Sequence, residues 1–379
     1  MSANPLLALK SLGQSVWLDS IRRGHIRSGD LRRMVENDGL SGETSNPAIF
    51  EKAIVGSSDY DDAISELIGE GKGALEVYET LAVGDVQMAA DVFRDVYDKT
   101  EGADGFVSLE VSPHLAYDTS GTIAEAQRLW ARVNRPNVMI KIPGTPQGLP
   151  AIEECLRQGI NINITLLFAV PMYEEVAWAY IHALERRVAE GQPIGRLASV
   201  ASFFVSRIDS LADKWIEEKK RGASPAQAAE LTALEGKAAI ANAKRAYQRF
   251  KAIFSDPRFR AVAEKGARVQ RPLWASTSTK NPKYRDVLYV ETLIGPDTVN
   301  TLPFETIDAF RDHGKVRVTI EEDIEGSEQM LRRLEDAGIS LKAVTDQVLR
   351  EGVEKFAEPF DKLVKAIAVK QETVAGKAK

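Results

Sequence analysis

The run VMIKIP, residues 138–143, decides the fold. Val138, Met139, Ile140 and Ile142 leave it without a polar face, so both sides of the strand expect cover. Upstream, Ile123, Ala126, Leu129, Trp130 and Val133 recur at helical spacing across 121–133. Helix, then a doubly covered strand, is the unit of a parallel sheet with crossover helices.

The unit repeats along the chain. Strand candidates are 15–19 (SVWLD), 41–46 (SGETSN), 105–111 (GFVSLEV), 138–143, 160–166 (ININITL), 198–204 (ASVASFF), 271–276 (RPLWAS) and 288–293 (LYVETL). Helical patterns separate them, at 28–37 with Ser28 as N-cap, 172–190 ended by Gly191, and a long stretch near 225–253. Eight β–α alternations are the number that closes into a (β/α)8 TIM barrel. The expected organisation is one α/β barrel domain over 1–379 with additional helices near 57–100 and 208–260. A mostly helical C-terminal region, 320–370, is preceded by one short strand-like run, KVRVTI. QETVAGKAK reads as a frayed tail.

Composition narrows the function classes. The 379 residues carry a net charge of −6, one cysteine (Cys155) and four scattered histidines, His25, His114, His182 and His313. An intrachain disulfide and a Cys-based zinc site are excluded, and a His-rich metal centre is disfavoured. No apolar run approaches the ~18–20 residues that span a bilayer, and MSANPLLALK does not read as a signal peptide. A cytoplasmic protein with neither nucleic-acid nor membrane partners is expected. GTPQG, after Lys141, is no Walker A loop, and no GxGxxG occurs. The five tryptophans read mainly as packing.

Chemistry in such a barrel belongs at the C-terminal strand ends. Lys141 interrupts an otherwise apolar strand, and lysine is almost never buried without a partner. A desolvated amine loses part of its preference for charge and becomes a nucleophile toward a carbonyl. The other reading is a structural lysine in an internal salt bridge. Phe106, Ser108 and Glu110 share a strand face, so Glu110 pairs with Lys141 or serves as acid/base. Asp19 closes the first strand and also suits a turn cap. Asn161, Asn163 and Thr165 alternate onto one face, which suits a polar cavity. Ser202 and Phe204 share a face with Arg207 beyond them, and Ser276 and Ser278 alternate before Lys280. Together they make a candidate phosphate pocket. Asn46, before Pro47, reads first as the cap of a following helix.

The runs TSNPAIF, VSLEVSP with YDT after it, MIKIPGT, ININITLLF, SFFVSRID and WASTSTKNP, in this order, resemble transaldolase over about residues 12 to 300. GPDTVNTLP is similar to the longer bacterial form. The resemblance implies a class I aldolase on an α/β barrel. Lys141 would form a Schiff base with a ketose phosphate, with no cofactor and no metal. It carries the acid/base carboxylate onto Glu110, the first-strand aspartate onto Asp19 and the asparagine–threonine pair onto Asn163 and Thr165. Asn46, Ser202, Phe204, Arg207 and Ser276 fall on substrate-binding positions. The family's ASFRN is two residues longer here, so either Lys280 or Ser278 takes the place of its arginine. Phe203 and Ser206 replace a proline and a glycine of the sixth-strand run.

The implied reaction moves a dihydroxyacetone unit from sedoheptulose 7-phosphate or fructose 6-phosphate to an aldose phosphate, in the non-oxidative pentose phosphate pathway. The alternatives are a hydrolytic fructose 6-phosphate aldolase and a non-catalytic sugar-phosphate-binding barrel. Small sugar phosphates are the implied partners, on a monomer or homodimer.

Overall fold

The computed structural model describes residues 4–377. Eight parallel strands close into a barrel in sequence order. They are β1 (Gln14–Asp19), β2 (Gly42–Thr44), β3 (Phe106–Glu110), β4 (Val138–Pro143), β5 (Ile162–Leu167), β6 (Ser199–Phe204), β7 (Arg271–Ala275) and β8 (Thr298–Leu302). β8 pairs with β1 from Gln14 against Thr298 to Leu18 against Leu302, which completes the ring. The fold is the expected (β/α)8 barrel with extra helices.

Helix Gly148–Arg157 shows why the ring is doubly covered. It packs on β4 and β5 and between helices Thr119–Val133 and Val170–Ala189. Its buried side chains are Ala151, Ile152, Cys155 and Leu156, spaced for one face. Ile140, Ile142, Ile162 and Ile164 on the strands are likewise fully buried. At the N-terminal end of the barrel, Asp104 accepts from Trp17 Nε1 at 2.8 Å and from the Ser15 hydroxyl. Arg271 donates to Ser15 Oγ at 2.6 Å. Asn161 belongs to this end too. Its amide donates to the carbonyls of Pro136 and Val138, and its oxygen accepts from Ala198 N–H. It therefore braces the barrel floor and does not share the cavity expected for Asn163 and Thr165.

Several expected elements differ. LYVETL is a short helix, Leu288–Thr292, and the eighth strand is Thr298–Leu302. The true strand is rich in inward polar groups. Thr298 accepts from Gln14, and Asn300 accepts from Thr277, so its apolar content understates its burial. KVRVTI forms no strand. The helix expected at 28–37 runs Asp30–Asp38 behind Gly29, which adopts a left-handed conformation, while Ser28 Oγ accepts from Asp30 N–H. The stretch near 225–253 is two helices, Pro225–Thr232 and Ala238–Phe254. Helix Leu341–Lys377 continues through most of the expected frayed tail, whose last two residues lie outside the described residues, as do the first three of MSANPLLALK. Among the described residues no helix is long and apolar enough to cross a membrane.

Helix Leu341–Lys377 lies across the C-terminal mouth. It packs on helices Pro47–Val55, Ala74–Lys99 and Ser206–Lys220, on the turn Pro113–Leu115 and on β5. Near the mouth β5 is irregular between Ile164 and Leu167, and Leu166 has φ +58°. A leucine in this left-handed region is strained, and the strain follows Thr165 directly.

Gly42 marks a close approach that fixes β2. A β-carbon there would lie 2.6 Å from three ring atoms of the buried Trp17. Gly42→Ala should therefore lower stability by roughly 1–3 kcal/mol through overpacking. Urea unfolding of Gly42→Ala and of Gly42→Ala/Trp17→Leu checks this. Measured against Trp17→Leu alone, Gly42→Ala should cost less than it does in the wild type, and an equal cost in both backgrounds would show that the clash with Trp17 is not the cause.

Candidate active site

Strand register builds the site. Glu110 lies beside Lys141, and Lys141 beside Asn163, on β3, β4 and β5. On the opposite arc Asp19 lies beside Thr44 on β1 and β2. Neighbours in parallel register present their side chains to the same side of the sheet, so these groups converge inside the barrel near its C-terminal end.

Lys141 is 4% exposed. Its Nζ donates to the Ser45 carbonyl at 2.9 Å and lies 3.5 Å from Glu110 Oε2. Neither Glu110 carboxylate oxygen has a hydrogen-bond partner among the described residues. Burial pushes the Glu110 carboxyl up to about 7, against the pull of Lys141, with Asp19 adding to the rise. Burial also raises the Asp19 carboxyl above its ordinary value, opposed by Lys141, by the hydrogen bond from Thr44 (2.9 Å) and by Lys280. Both carboxyls thus hold their protons more tightly than ordinary carboxylates do, and Glu110 exchanges its proton near neutrality.

Asn163 is held from both flanks. Its amide donates to Ser108 Oγ at 3.0 Å, and its oxygen accepts from Ser202 Oγ at 2.6 Å. Thr165 Oγ is buried without a hydrogen-bond partner among the described residues. Asn46 does two things. Its side chain caps helix Pro47–Val55 by accepting from Ile49 N–H at 3.0 Å, and the same residue borders the mouth.

A cavity of about 250 Å³ opens at the mouth. Among the expected residues Asp19, Asn46, Lys141, Ser202, Phe204, Arg207, Ser276 and Lys280 line it. Glu110, Asn163 and Thr165 do not. Arg207 lies 5.5 Å from the Phe204 ring centroid, and its buried Nη1 has no hydrogen-bond partner among the described residues. Ser276, at φ +55°, shares a hydrogen bond with Ser206 at 2.9 Å. Lys280 is exposed at the rim and donates to Ser278 at 2.7 Å, so both candidates for the family's arginine position border the cavity.

Six lining residues escaped the sequence reading: Thr44, Ala275, Thr301, Pro303, Glu305 and Phe356. Thr44 and Thr301 share a hydrogen bond at 2.7 Å beneath Asp19. Thr44 stands in the quoted TSNP run, whose Asn46 drew attention instead. Phe356 comes from helix Leu341–Lys377 and places its ring 5.7 Å from Lys141 Nζ and 5.8 Å from the Arg207 guanidinium. Nothing in local sequence tells a mouth-facing phenylalanine from a core one. A larger cavity, about 680 Å³, lies among outer helices and is lined by Lys219, Glu230, Arg333 and Asp336. It gathers no strand-end residue, so its size does not make it the reactive site.

Fold and site together define a (β/α)8 barrel protein with a buried amine–carboxylate pair at its strand ends. The chain belongs to the transaldolase/fructose-6-phosphate aldolase family, whose model matches residues 16–367. It is 50% identical over 373 residues to a transaldolase of Trichodesmium erythraeum, covering 98% of both chains. It is 46% identical to a transaldolase of Acidothermus cellulolyticus over 96% of both, and 43% identical to one of Thiobacillus denitrificans over 94% of this chain and 97% of that protein.

The raised Glu110 carboxyl has a stability consequence. The folded state favours its protonated form. That contribution is fully present below the ordinary value of 4.5 and is lost as pH rises through about 7. Glu110→Gln cannot titrate. Its urea midpoint should change less between pH 5 and pH 8 than that of the wild type, which should fall. Parallel profiles would contradict the assignment.

Proposed function

We propose that this chain is a cytoplasmic transaldolase that moves a dihydroxyacetone unit from a ketose phosphate to an aldose phosphate through a Schiff base on Lys141. The supporting observation is the desolvated amine of Lys141, in ion-pair range of Glu110 inside a barrel mouth that also holds Arg207.

The free amine of Lys141 adds to the C2 carbonyl of the ketose phosphate. Glu110 gives a proton to the departing hydroxyl, and water leaves as the iminium forms. Asp19 takes the proton of the C4 hydroxyl, and the C3–C4 bond breaks with its electrons drawn into the iminium. The aldose phosphate departs. Asn46 and Asn163 hold the hydroxyls of the three-carbon unit until an acceptor arrives, and Thr165 holds the water that Glu110 uses. Arg207, Ser276 and Lys280 grip the phosphate, while Ser202 fixes Asn163 and Phe204 walls the sugar. The ammonium of Lys280 is a point charge where a guanidinium fork would bind in two directions, so the grip is less directional.

Borohydride trapping with fructose 6-phosphate tests the mechanism. Mass spectrometry should place a three-carbon adduct on Lys141 and on no other residue. Lys141→Ala should give no adduct while remaining folded. Asp19→Ala should still give an adduct, but one that retains the whole hexose, because cleavage fails. An adduct elsewhere, or none, would reject the mechanism. Erythrose 4-phosphate should be required for rapid turnover. Release of free dihydroxyacetone at the same rate without it would indicate a hydrolytic aldolase instead.

Arg207→Ala removes one charge-assisted contact worth roughly 1.5–3 kcal/mol. KM for fructose 6-phosphate should rise about 10- to 100-fold, while activity toward unphosphorylated fructose changes little. An equal loss on both substrates would place Arg207 outside the phosphate grip.

A further inference from the structure

Phe356 stands between the groups assigned to the two ends of a ketose phosphate. It lines the mouth cavity together with Lys141 and Arg207, and it is 5% exposed. Its ring centroid lies 5.7 Å from Lys141 Nζ and 5.8 Å from the Arg207 guanidinium, so one ring borders both the amine and the phosphate grip. Phe204, at the end of β6, flanks Arg207 at 5.5 Å, and Phe168 packs on Phe204 with ring centroids 5.2 Å apart. A phenylalanine ring offers water no donor and no acceptor, unlike the serines, threonines and charged groups on the rest of the lining.

The helix that brings Phe356, Leu341–Lys377, is seated closely. Gly352 lies one turn earlier on the same face. A β-carbon there would lie 3.1 Å from Leu166 Cδ2, 3.6 Å from Arg207 Nη1 and 3.7 Å from Phe168 Cε2. Glycine inside a helix is destabilising relative to alanine, but at this position it admits the helix against β5 and Arg207. One turn beyond Phe356, Phe360 meets Tyr78 edge-on at 5.3 Å. Contacts on both sides along the helix therefore hold Phe356 over the amine.

We propose that Phe356 decides the fate of the covalent intermediate: it keeps water from the three-carbon unit on Lys141, which favours transfer over hydrolysis. The inference rests on the Schiff-base reading above. When the C3–C4 bond breaks, the aldose phosphate leaves with the phosphate that Arg207 held. The space between Arg207 and Lys141 is vacated, and the three-carbon unit remains on the amine as an enamine. In transfer, C3 forms a bond to the carbonyl carbon of an incoming aldose phosphate, and the iminium returns. In hydrolysis, C3 takes a proton, which gives the iminium. Water then adds to C2 and gives that proton back, the C–N bond breaks, and dihydroxyacetone leaves with Lys141 restored as the amine. Hydrolysis thus consumes water at C2, beside the ring. An acceptor carries a phosphate for Arg207 and can enter the vacated space by a grip that water lacks. Excluding water from a reactive intermediate is a recognised role of a closed site, and here one side chain spans the stretch that the departing product uncovers.

The test measures the partition. Fructose 6-phosphate is supplied with and without saturating erythrose 4-phosphate. Transfer is followed as sedoheptulose 7-phosphate and hydrolysis as free dihydroxyacetone, both by mass spectrometry. The readout is the ratio of hydrolysis to transfer, which a general loss of active enzyme leaves unmoved. Phe356→Ala should raise it severalfold while the borohydride adduct still forms on Lys141. Phe356→Leu, which restores an apolar cover, should bring it back toward the wild-type value. Phe356→Gln, of similar length to the leucine but able to hold water, should raise it. An unchanged ratio in Phe356→Ala, with adduct present, would overturn the proposal. If Phe356→Ala does not fold, judged by circular dichroism, Phe356→Leu and Phe356→Gln decide, and equal ratios in the two would overturn it. Absence of adduct in the wild type would strike the Schiff-base reading itself, and it is told apart because it precedes any substitution.

Discussion

The constraint on which the rest depends is the removal of an amine and a carboxylate from water inside one barrel. An isolated buried charge is expensive, and even a buried pair recovers its desolvation only with good geometry and further hydrogen bonds. Here the pair is incompletely satisfied. Lys141 has one carbonyl and a carboxylate at 3.5 Å, and Glu110 has no hydrogen-bond partner among the described residues. A structural ion pair would be finished with more contacts. This one leaves a nitrogen and two oxygens with capacity to spare, and the lysine lines the mouth cavity. That incompleteness is the ground on which the proposed mechanism takes Lys141 as reactive and not as purely structural.

The surrounding chain carries the cost. Doubly covered strands supply the apolar surface that keeps the pair dry. Near the site Leu166 and Ser276 adopt left-handed conformations, as Glu101, Asn134, Asp297 and Asp323 do elsewhere among the described residues. Asn163, clamped between Ser108 and Ser202, transmits the rigidity of β3 and β6 to the centre of the site. Barrel-floor contacts among Ser15, Trp17, Asp104 and Arg271 hold the opposite end, where no reactive group is needed.

Much of this is legible in the amino-acid sequence. VMIKIP and its neighbours announce seven strands by apolar or alternating content, and the misplaced lysine and glutamate stand out against them. β8 escaped because TVNTL buries threonine and asparagine, and hydropathy cannot separate a satisfied inward polar group from an exposed one. LYVETL drew the assignment instead, since Tyr289 and Val290 are buried in a short helix as they would be in a strand. Asn161 shared the period of Asn163 and Thr165, yet height along the strand decides which end a side chain serves. Phe356 was invisible for another reason. Its place follows from how a helix more than 200 residues beyond Lys141 crosses the barrel, and local pattern holds no record of that distance.

The crossing helix also sets an order of assembly. Residues 12 to 302 contain every strand and nearly every polar group of the mouth, yet the aromatic cover arrives only with Phe356 and Phe360. A nascent chain that has emerged only as far as residue 340 has its ring of strands but no ceiling over Lys141. The cover that the proposed mechanism asks for over this amine is therefore the last part of the site to be synthesised.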